Sequence, residues 1–156
     1  MKWDQRIEIE APIETVWALF DEANPQRIMP KVESNEWIVQ NDPLPGSSYK
    51  QTYREGTRTE SYHVTITEFV DEPAFKKKAI QFILAKLFET TLTFELHKLA
   101  EDRTEFRYIG SNIGINFVAK TMLKLGKKQE NGGPVVEEFV KRVKREAEQD
   151  ANLSEN

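Results

Sequence analysis

The longest helical pattern in the chain lies close to its end. Over residues 134–150, PVVEEFVKRVKREAEQD, apolar side chains fall at Val136, Phe139, Val140, Val143 and Ala147, and the opposite face is charged. That spacing follows the 3.6-residue turn and predicts one long amphipathic helix. Gly133-Pro134 supplies its start, because proline in the first helical position gives up an N–H that no helix bond needs. Glu137 and Glu138 in the first turn, with Lys144 and Arg145 further on, run with the helix dipole. Glu137–Lys141 and Glu138–Arg142 are spaced as ion pairs on one face, each contributing a few tenths of a kcal/mol. A long helix with a single apolar stripe needs a sheet to lie on.

Most of the remaining chain alternates with a period of two, as half-buried strands do. In residues 3–9, Trp3, Ile7 and Ile9 share one face, and Arg6, Glu8 and Glu10 the other. Ala11-Pro12 ends that strand and opens a short helix over residues 13–20, carrying Val16, Trp17, Leu19 and Phe20. A second short helix fits only between Asn24-Pro25 and Met29-Pro30. Strands are predicted over residues 32–40, 48–54, 58–70, 75–84, 88–99 and 104–109, separated by turn formers such as Pro45-Gly46, Glu55-Gly56 and Asp71-Glu72-Pro73. Tyr53, Tyr62, Val64, Phe82, Leu92, Phe94, Phe106 and Tyr108 are expected on the inner face. Lys76-Lys77-Lys78 reads as a charge run on an edge strand, placed to block edge-to-edge pairing. Residues 115–125, INFVAKTMLKL, predict a further helix. Ile115, Val118, Met122 and Leu125 form its apolar face, and Lys120, Lys124, Lys127 and Lys128 lie opposite. Phe117 and Leu123 fall outside the apolar face, and Gly126 is a natural stop. Residues 151–156 are polar and expected to fray.

The order is strand, two short helices, six strands and a long helix. With IEIEAPIETVWALFDEANPQRIMP near the start, it resembles the SRPBCC (START-like, Bet v 1-like) superfamily, and within it the polyketide cyclase/dehydrase and lipid-transport type. The carrying residues are Ile9-Glu10-Ala11-Pro12, Val16-Trp17, Phe20-Asp21, Asn24-Pro25 and Pro30. Gly46, Ile66-Thr67-Glu68-Phe69 and the ending Val143-Lys144-Arg145-Glu146-Ala147-Glu148 add support. The resemblance implies an α+β helix-grip fold over residues 1–150: a curved antiparallel sheet of six to seven strands around the C-terminal helix, with an apolar cavity between them. A curved sheet and a straight helix do leave a gap unless large side chains fill it. The phenylalanines of the inner face can fill it, whereas buried tyrosines bring hydroxyls that need partners.

Composition narrows the chemistry. A net charge of −4 gives no general attraction to nucleic acid. The absence of cysteine removes disulfides, thiolate catalysis and Cys-ligated metals. MKWDQRIEIE has no apolar core of a signal peptide, and no run approaches a membrane span of about 20 residues, so a soluble, cytoplasmic protein is expected. His63 and His97 both alternate outward, and no zinc spacing, P-loop, GxSxG or dinucleotide fingerprint is present. No metal or cofactor is therefore expected. Glu89, Glu95 and Glu105 alternate outward and are expected to pair across strands.

The leading expectation is a non-enzymatic binder or carrier of an apolar small molecule, such as a lipid, polyketide or isoprenoid-like compound. Tyr53, Tyr62, Val64, Phe82, Leu92, Phe94, Phe106, Tyr108, Phe117, Met122, Val136 and Val140 are its expected ligand-contacting residues. The alternatives are a cyclase or aromatase acting in the same cavity, and a protein-interaction module like the relatives that activate chaperone ATPases. The enzyme ranks lower because its acid–base candidates reduce to Tyr53, Tyr62, Tyr108 and Gln51, and tyrosine ionises only near a pKa of about 10. The basic helix over residues 115–125 is expected to act as a lid and to touch anionic membranes, hinging at Gly114 and Gly126.

Overall fold

The computed structural model describes residues 1–125 and 130–154. Seven strands form one antiparallel sheet: β1 (Lys2–Ile9), β2 (Val32–Val39), β3 (Ser48–Glu55), β4 (Arg58–Asp71), β5 (Phe75–Leu84), β6 (Phe88–Ala100) and β7 (Arg103–Gly114). Their order across the sheet is β1-β7-β6-β5-β4-β3-β2, a meander whose last strand pairs with the first. Helix α1 (Ile13–Trp17) runs into a 3₁₀ turn at Ala18–Phe20, and a second 3₁₀ turn occupies Pro25–Arg27, between the prolines that confine it. Helices α2 (Phe117–Leu125) and α3 (Gly133–Ser154) complete the chain. This is the α+β helix grip that the resemblance implies. No described helix is long and apolar enough to cross a membrane.

The stripe read from the sequence is what α3 buries. Val136, Phe139, Val140, Val143 and Ala147 all enter the core, and the helix continues past residue 150 to bury Ala151 as well. Polar contacts fix its position along β1. Lys144 Nζ donates to the Glu8 carbonyl, and the Glu148 carboxylate accepts from the Glu10 N–H, each at 2.9 Å. At the other end Asn131, in the left-handed region at φ 51°, clamps β1. Its Oδ1 accepts from the Asp4 N–H at 2.7 Å, and its Nδ2 donates to the Asp4 carbonyl at 3.0 Å. Arg27 grips the far end of α3 with a bidentate pair to Asp150 at 2.8 Å and a contact to Glu146 at 3.0 Å. That last contact matters for the site, because it pins the segment over residues 19–29 above the sheet.

Two expectations are overturned. The lysine run does not lie at an edge: β5 is the central strand, flanked by β4 and β6. Lys76 and Lys78 alternate inward with Ile80 and are buried. Helix α2 is also rotated from the expected orientation. Ala119 is its buried residue, set against the backbone at Gly114, where an added Cβ would meet Lys120 N at 2.7 Å. A contact that close leaves no room for a Cβ at position 114, and Val118 and Met122 turn out to solvent. Lys127, Lys128 and the stop at Gly126 lie outside the described residues.

Candidate functional site

The concave face of the sheet divides into three parts. Its closed end is filled by aromatic rings. Phe139 of α3 sits 4.7 Å from Tyr108 and about 6 Å from Phe94 and Phe106. Phe20 closes the other side at 5.1 Å from Phe94 and 5.5 Å from Phe106. Phe94 and Phe106 are almost wholly enclosed, as are Val64 and Val140. The gap expected between sheet and helix is therefore packed here, by the side chains able to pack it.

The open end is different. Tyr62 stacks on Phe82 at 4.8 Å with an interplanar angle of 18°, and both stay half-buried, as does Leu92. Next to them Thr90 donates to the Asn112 side chain at 2.9 Å. Tyr53 stands at the rim, its hydroxyl donating to Glu55 at 3.2 Å. An aromatic and aliphatic platform is thus left uncovered on the inner side of the sheet.

Between the two ends lies a crevice of about 30 Å³ under residues 19–29, lined among others by Leu19, Phe20, Glu22, Asn35, Tyr49, Gln51, Lys78, Ile80 and Phe94. That volume holds about one water-sized group. A polar relay runs beside it. Tyr62 donates to Gln51 Oε1 at 2.6 Å, Gln51 Nε2 to Asn35 Oδ1 at 2.9 Å, and Asn35 Nδ2 to the Glu22 carbonyl at 3.0 Å. Lys78 donates to the Phe20 carbonyl, and its Nζ stands 2.5 Å from Glu22 Oε1. Glu22 Oε1 meets that ammonium without hydrogen-bond angles, so the contact is an ion pair only. Trp17 lies between the two inward lysines, its ring 5.9 Å from Lys76 Nζ and 5.7 Å from Lys78 Nζ. Burial pulls the Lys76 ammonium down, but its hydrogen bonds to Asp71 and Glu14 outweigh that and hold it above the ordinary lysine range. Wider furrows of about 610 and 500 Å³ also exist, one over the charged outer side of α3 and one beside β1. Both lie wide open to solvent, whereas a small-molecule site buries most of its ligand.

Burial is the main cause that raises the hydroxyls of Tyr49, Tyr62 and Tyr108 well above the usual phenol range. At Tyr49 the negative charge of Glu22 adds to it. These three groups are therefore neutral donors at physiological pH. Among the described residues no three His, Asp or Glu side chains gather to hold a metal ion.

Of the expected contact residues, Tyr62, Phe82 and Leu92 come together at the open end. Val64, Phe94, Phe106, Tyr108, Val136 and Val140 form the packed interior behind them. Phe117 and Met122 do not join either group: Phe117 is 83% exposed and Met122 50%. Tyr49, Lys78, Glu22 and Asn35 were not among the expected residues. Extending the alternation of Phe82 and Ile80 back to Lys78 would have found one of them. His63 is exposed and His97 packs outside on Phe75 at 4.9 Å, as their alternation predicts. Glu95 and Glu105 likewise pair outside, with Arg107 at 3.4 Å and Arg6 at 3.9 Å.

A seven-stranded antiparallel sheet closed on a long C-terminal helix, with short helices after the first strand, is the helix-grip fold of the Bet v 1-like and START proteins. Solved structures bear this out at the level of fold. The Zhui aromatase/cyclase from Streptomyces sp. R1128 superposes with a TM-score of 0.68 at 15% identity, over 97% of this chain and 93% of that one. A START superfamily protein from Mycobacterium smegmatis gives 0.66 at 15% identity, over 97% of each chain. The di-domain ARO/CYC protein BexL of the BE-7585A biosynthetic pathway gives 0.71 at 11% identity, over 95% of this chain and 46% of its own length. No family model matches the sequence, and no curated protein matches it.

Proposed function

We infer that the protein binds an apolar small molecule, a lipid, polyketide or isoprenoid-like compound, and acts as a soluble carrier in the cytoplasm. The ligand body lies on Tyr62, Phe82 and Leu92, with Tyr53 at the rim and the enclosed residues from Val64 to Val140 as the back wall. The observation that carries this reading is the uncovered stack of Tyr62 on Phe82, left half-buried on the concave side of the sheet. Apolar walls with a few polar handles are the usual make-up of a small-molecule site. The solved aromatase/cyclase supports the reading through the shared fold. Binding needs only the platform, whereas catalysis needs a group that titrates near neutral pH, and the raised tyrosines are not such groups.

Titration with diphenylhexatriene, a neutral hydrocarbon whose fluorescence rises out of water, tests the reading. Wild type is expected to bind it, and Phe82→Asp to weaken binding about tenfold or more, since a charge on the platform must be desolvated. Ile83→Asp, on the outer face and 51% exposed, is expected to bind like wild type. No binding by wild type, or equal loss in both variants, sinks the reading.

The same carrier is proposed to load at membranes through α2. Its exposed arc holds Phe117, Val118 and Met122, with Ile115 beside it and Lys120 and Lys124 on the flank. An amphipathic helix of this make-up suits an anionic lipid surface. Each lysine there contributes about 1 kcal/mol in a salt-sensitive way. Co-sedimentation with anionic vesicles is expected for wild type, and not with neutral vesicles. The pair Lys120→Glu with Lys124→Glu is expected to abolish it. Wild type left in the supernatant, or an unaffected double variant, refutes this contact.

A further inference from the structure

We propose that the outer edge of β2 is a self-association surface, and that two copies of the chain join there, β2 antiparallel to β2, into one continuous sheet. The binding reading above is not needed for it.

The sheet has two edge strands, β1 and β2, and they are finished differently. An edge strand leaves a row of N–H and C=O groups pointing away from the sheet, ready to pair with another strand. On β1 the chain closes that edge itself. Asn131 engages both the N–H and the carbonyl of Asp4, Lys144 takes the Glu8 carbonyl, and Glu148 takes the Glu10 N–H. On β2 the described hydrogen bonds from outside β3 stop at the first two residues. Val32 donates to the Met29 carbonyl at 3.0 Å, and Gln26 donates to the Glu33 carbonyl at 2.9 Å. Among the described residues, the backbone of residues 34–39 is met by β3 alone.

The side chains of β2 do not guard it either. Edge strands commonly carry lysine or proline against unwanted pairing, and β2, VESNEWIV, has neither. Trp37, Ile38 and Val39 instead stand 39%, 49% and 47% exposed in succession. Two register shifts against β3 bend the strand, a device that can turn an edge away. Here the residues at the second shift are the apolar ones. Trp37 is held in place by Tyr49, edge-on at 5.6 Å and 77°. Tryptophan is enriched among the residues that anchor interfaces.

Closure selects the partner. With the β1 edge taken by the chain's own side chains, β2 of one copy has no β1 edge to meet on the next. Pairing β2 with β2 about a two-fold axis uses both open edges and leaves none, which ends the assembly at two copies. Charge permits this pairing. Glu33 is paired to Arg54, so Glu36 is the one β2 charge without an ion pair among the described residues. An axis at Trp37 sets indole against indole, and Glu36 opposite Ile38 of the second copy. The two Glu36 carboxylates then stand out of register, so like charges do not face each other across the strands. An edge of eight residues is much smaller than the about 20–30 residues a side of a stable complex. The dimer is therefore weak and forms as concentration rises.

Sedimentation equilibrium of the whole protein, from micromolar to millimolar concentration, tests the proposal. Wild type is expected to shift from one copy to two and no further. Ile38→Lys supplies the missing guard at an exposed position. It is expected to stay monomeric over the same range, with its melting temperature unchanged. Ile83→Lys, on the outer face of β5 and similarly exposed, is expected to dimerise like wild type. The chain has no cysteine of its own, so single cysteines report the axis. Opposed residues of paired antiparallel strands lie about 4.5–5.5 Å apart at Cα, within reach of a disulfide. Trp37→Cys is expected to cross-link into a covalent dimer under mild oxidation, and Ile83→Cys is not. A wild type that stays monomeric throughout overturns the proposal. So does a mass beyond two copies, a dimer that Ile38→Lys leaves intact, or equal loss in the two lysine variants. A cross-link at residue 83 with none at residue 37 overturns it as well.

Discussion

Val143→Asp is expected to unfold the protein or to lower its melting temperature by about 10 °C or more. Val143 is fully enclosed at the centre of the α3 stripe, with Val140 and Ala147 on the same face. A carboxylate there has no described polar partner on the stripe and must either lose its charge or break the grip. Burying an unpaired ionisable group costs several kcal/mol, against a total stability of about 5–15 kcal/mol for a domain. Each kcal/mol moves the midpoint of a domain this size by about 2–4 °C. The same substitution at Val135 provides the control. That residue lies in the first turn of the same helix and is 79% exposed. Val135→Asp is expected within about 0.5 kcal/mol of wild type, as surface changes generally are. Thermal melts of the two variants check the pair. Equal midpoints show that α3 is not what the sheet grips.

The grip was legible because a single period governs each element. Once Phe94, Phe106 and Tyr108 are read as alternating inward, no freedom remains about the face they occupy. The same rule placed Val136, Val140 and Val143 under α3 through its 3.6-residue repeat. What the sequence hid depends on partners far along the chain. Lys76 and Lys78 share the alternation of Ile80 and Phe82, yet their charge argued for an exposed edge. Their burial is tolerated because Glu14, Glu22 and Asp71 meet them, and these come from α1, the segment after it and the end of β4. Helix α2 shows a second limit. Its apolar pattern predicted a helix correctly, but its packing face goes with the close approach of its backbone at Ala119 and Lys120 to Gly114. Hydrophobicity ranks glycine low, while a close backbone contact ranks it first.

Gly110→Ala is expected to destabilise the protein by about 2–4 kcal/mol, a large effect for one methyl group. Gly110 on β7 pairs with Trp3 on β1. The indole lies across the glycine so closely that an added Cβ would stand 2.1 Å from its Cε2 and Cζ2 atoms. Real carbon contacts lie near 3.5–4.0 Å, so the ring or the strand pairing must give way. The ring has little room to do so. Trp3 is 7% exposed, packs on Tyr108 at 5.8 Å, and presents its Cβ to Gly132 on the other side. Backbone conformation is not the cause, since Gly110 is absent from the positive-φ residues. The effect should therefore belong to the pair, and a double-mutant cycle isolates it. Trp3→Ala alone is expected to cost about 3–5 kcal/mol, as buried tryptophans do. With the indole gone, Gly110→Ala has nothing to strike. The double variant should then be no less stable than Trp3→Ala, leaving a coupling energy about as large as the Gly110→Ala effect itself. Denaturant melts of the four proteins measure it. Simple additivity would mean that the glycine serves some purpose other than making room for the ring.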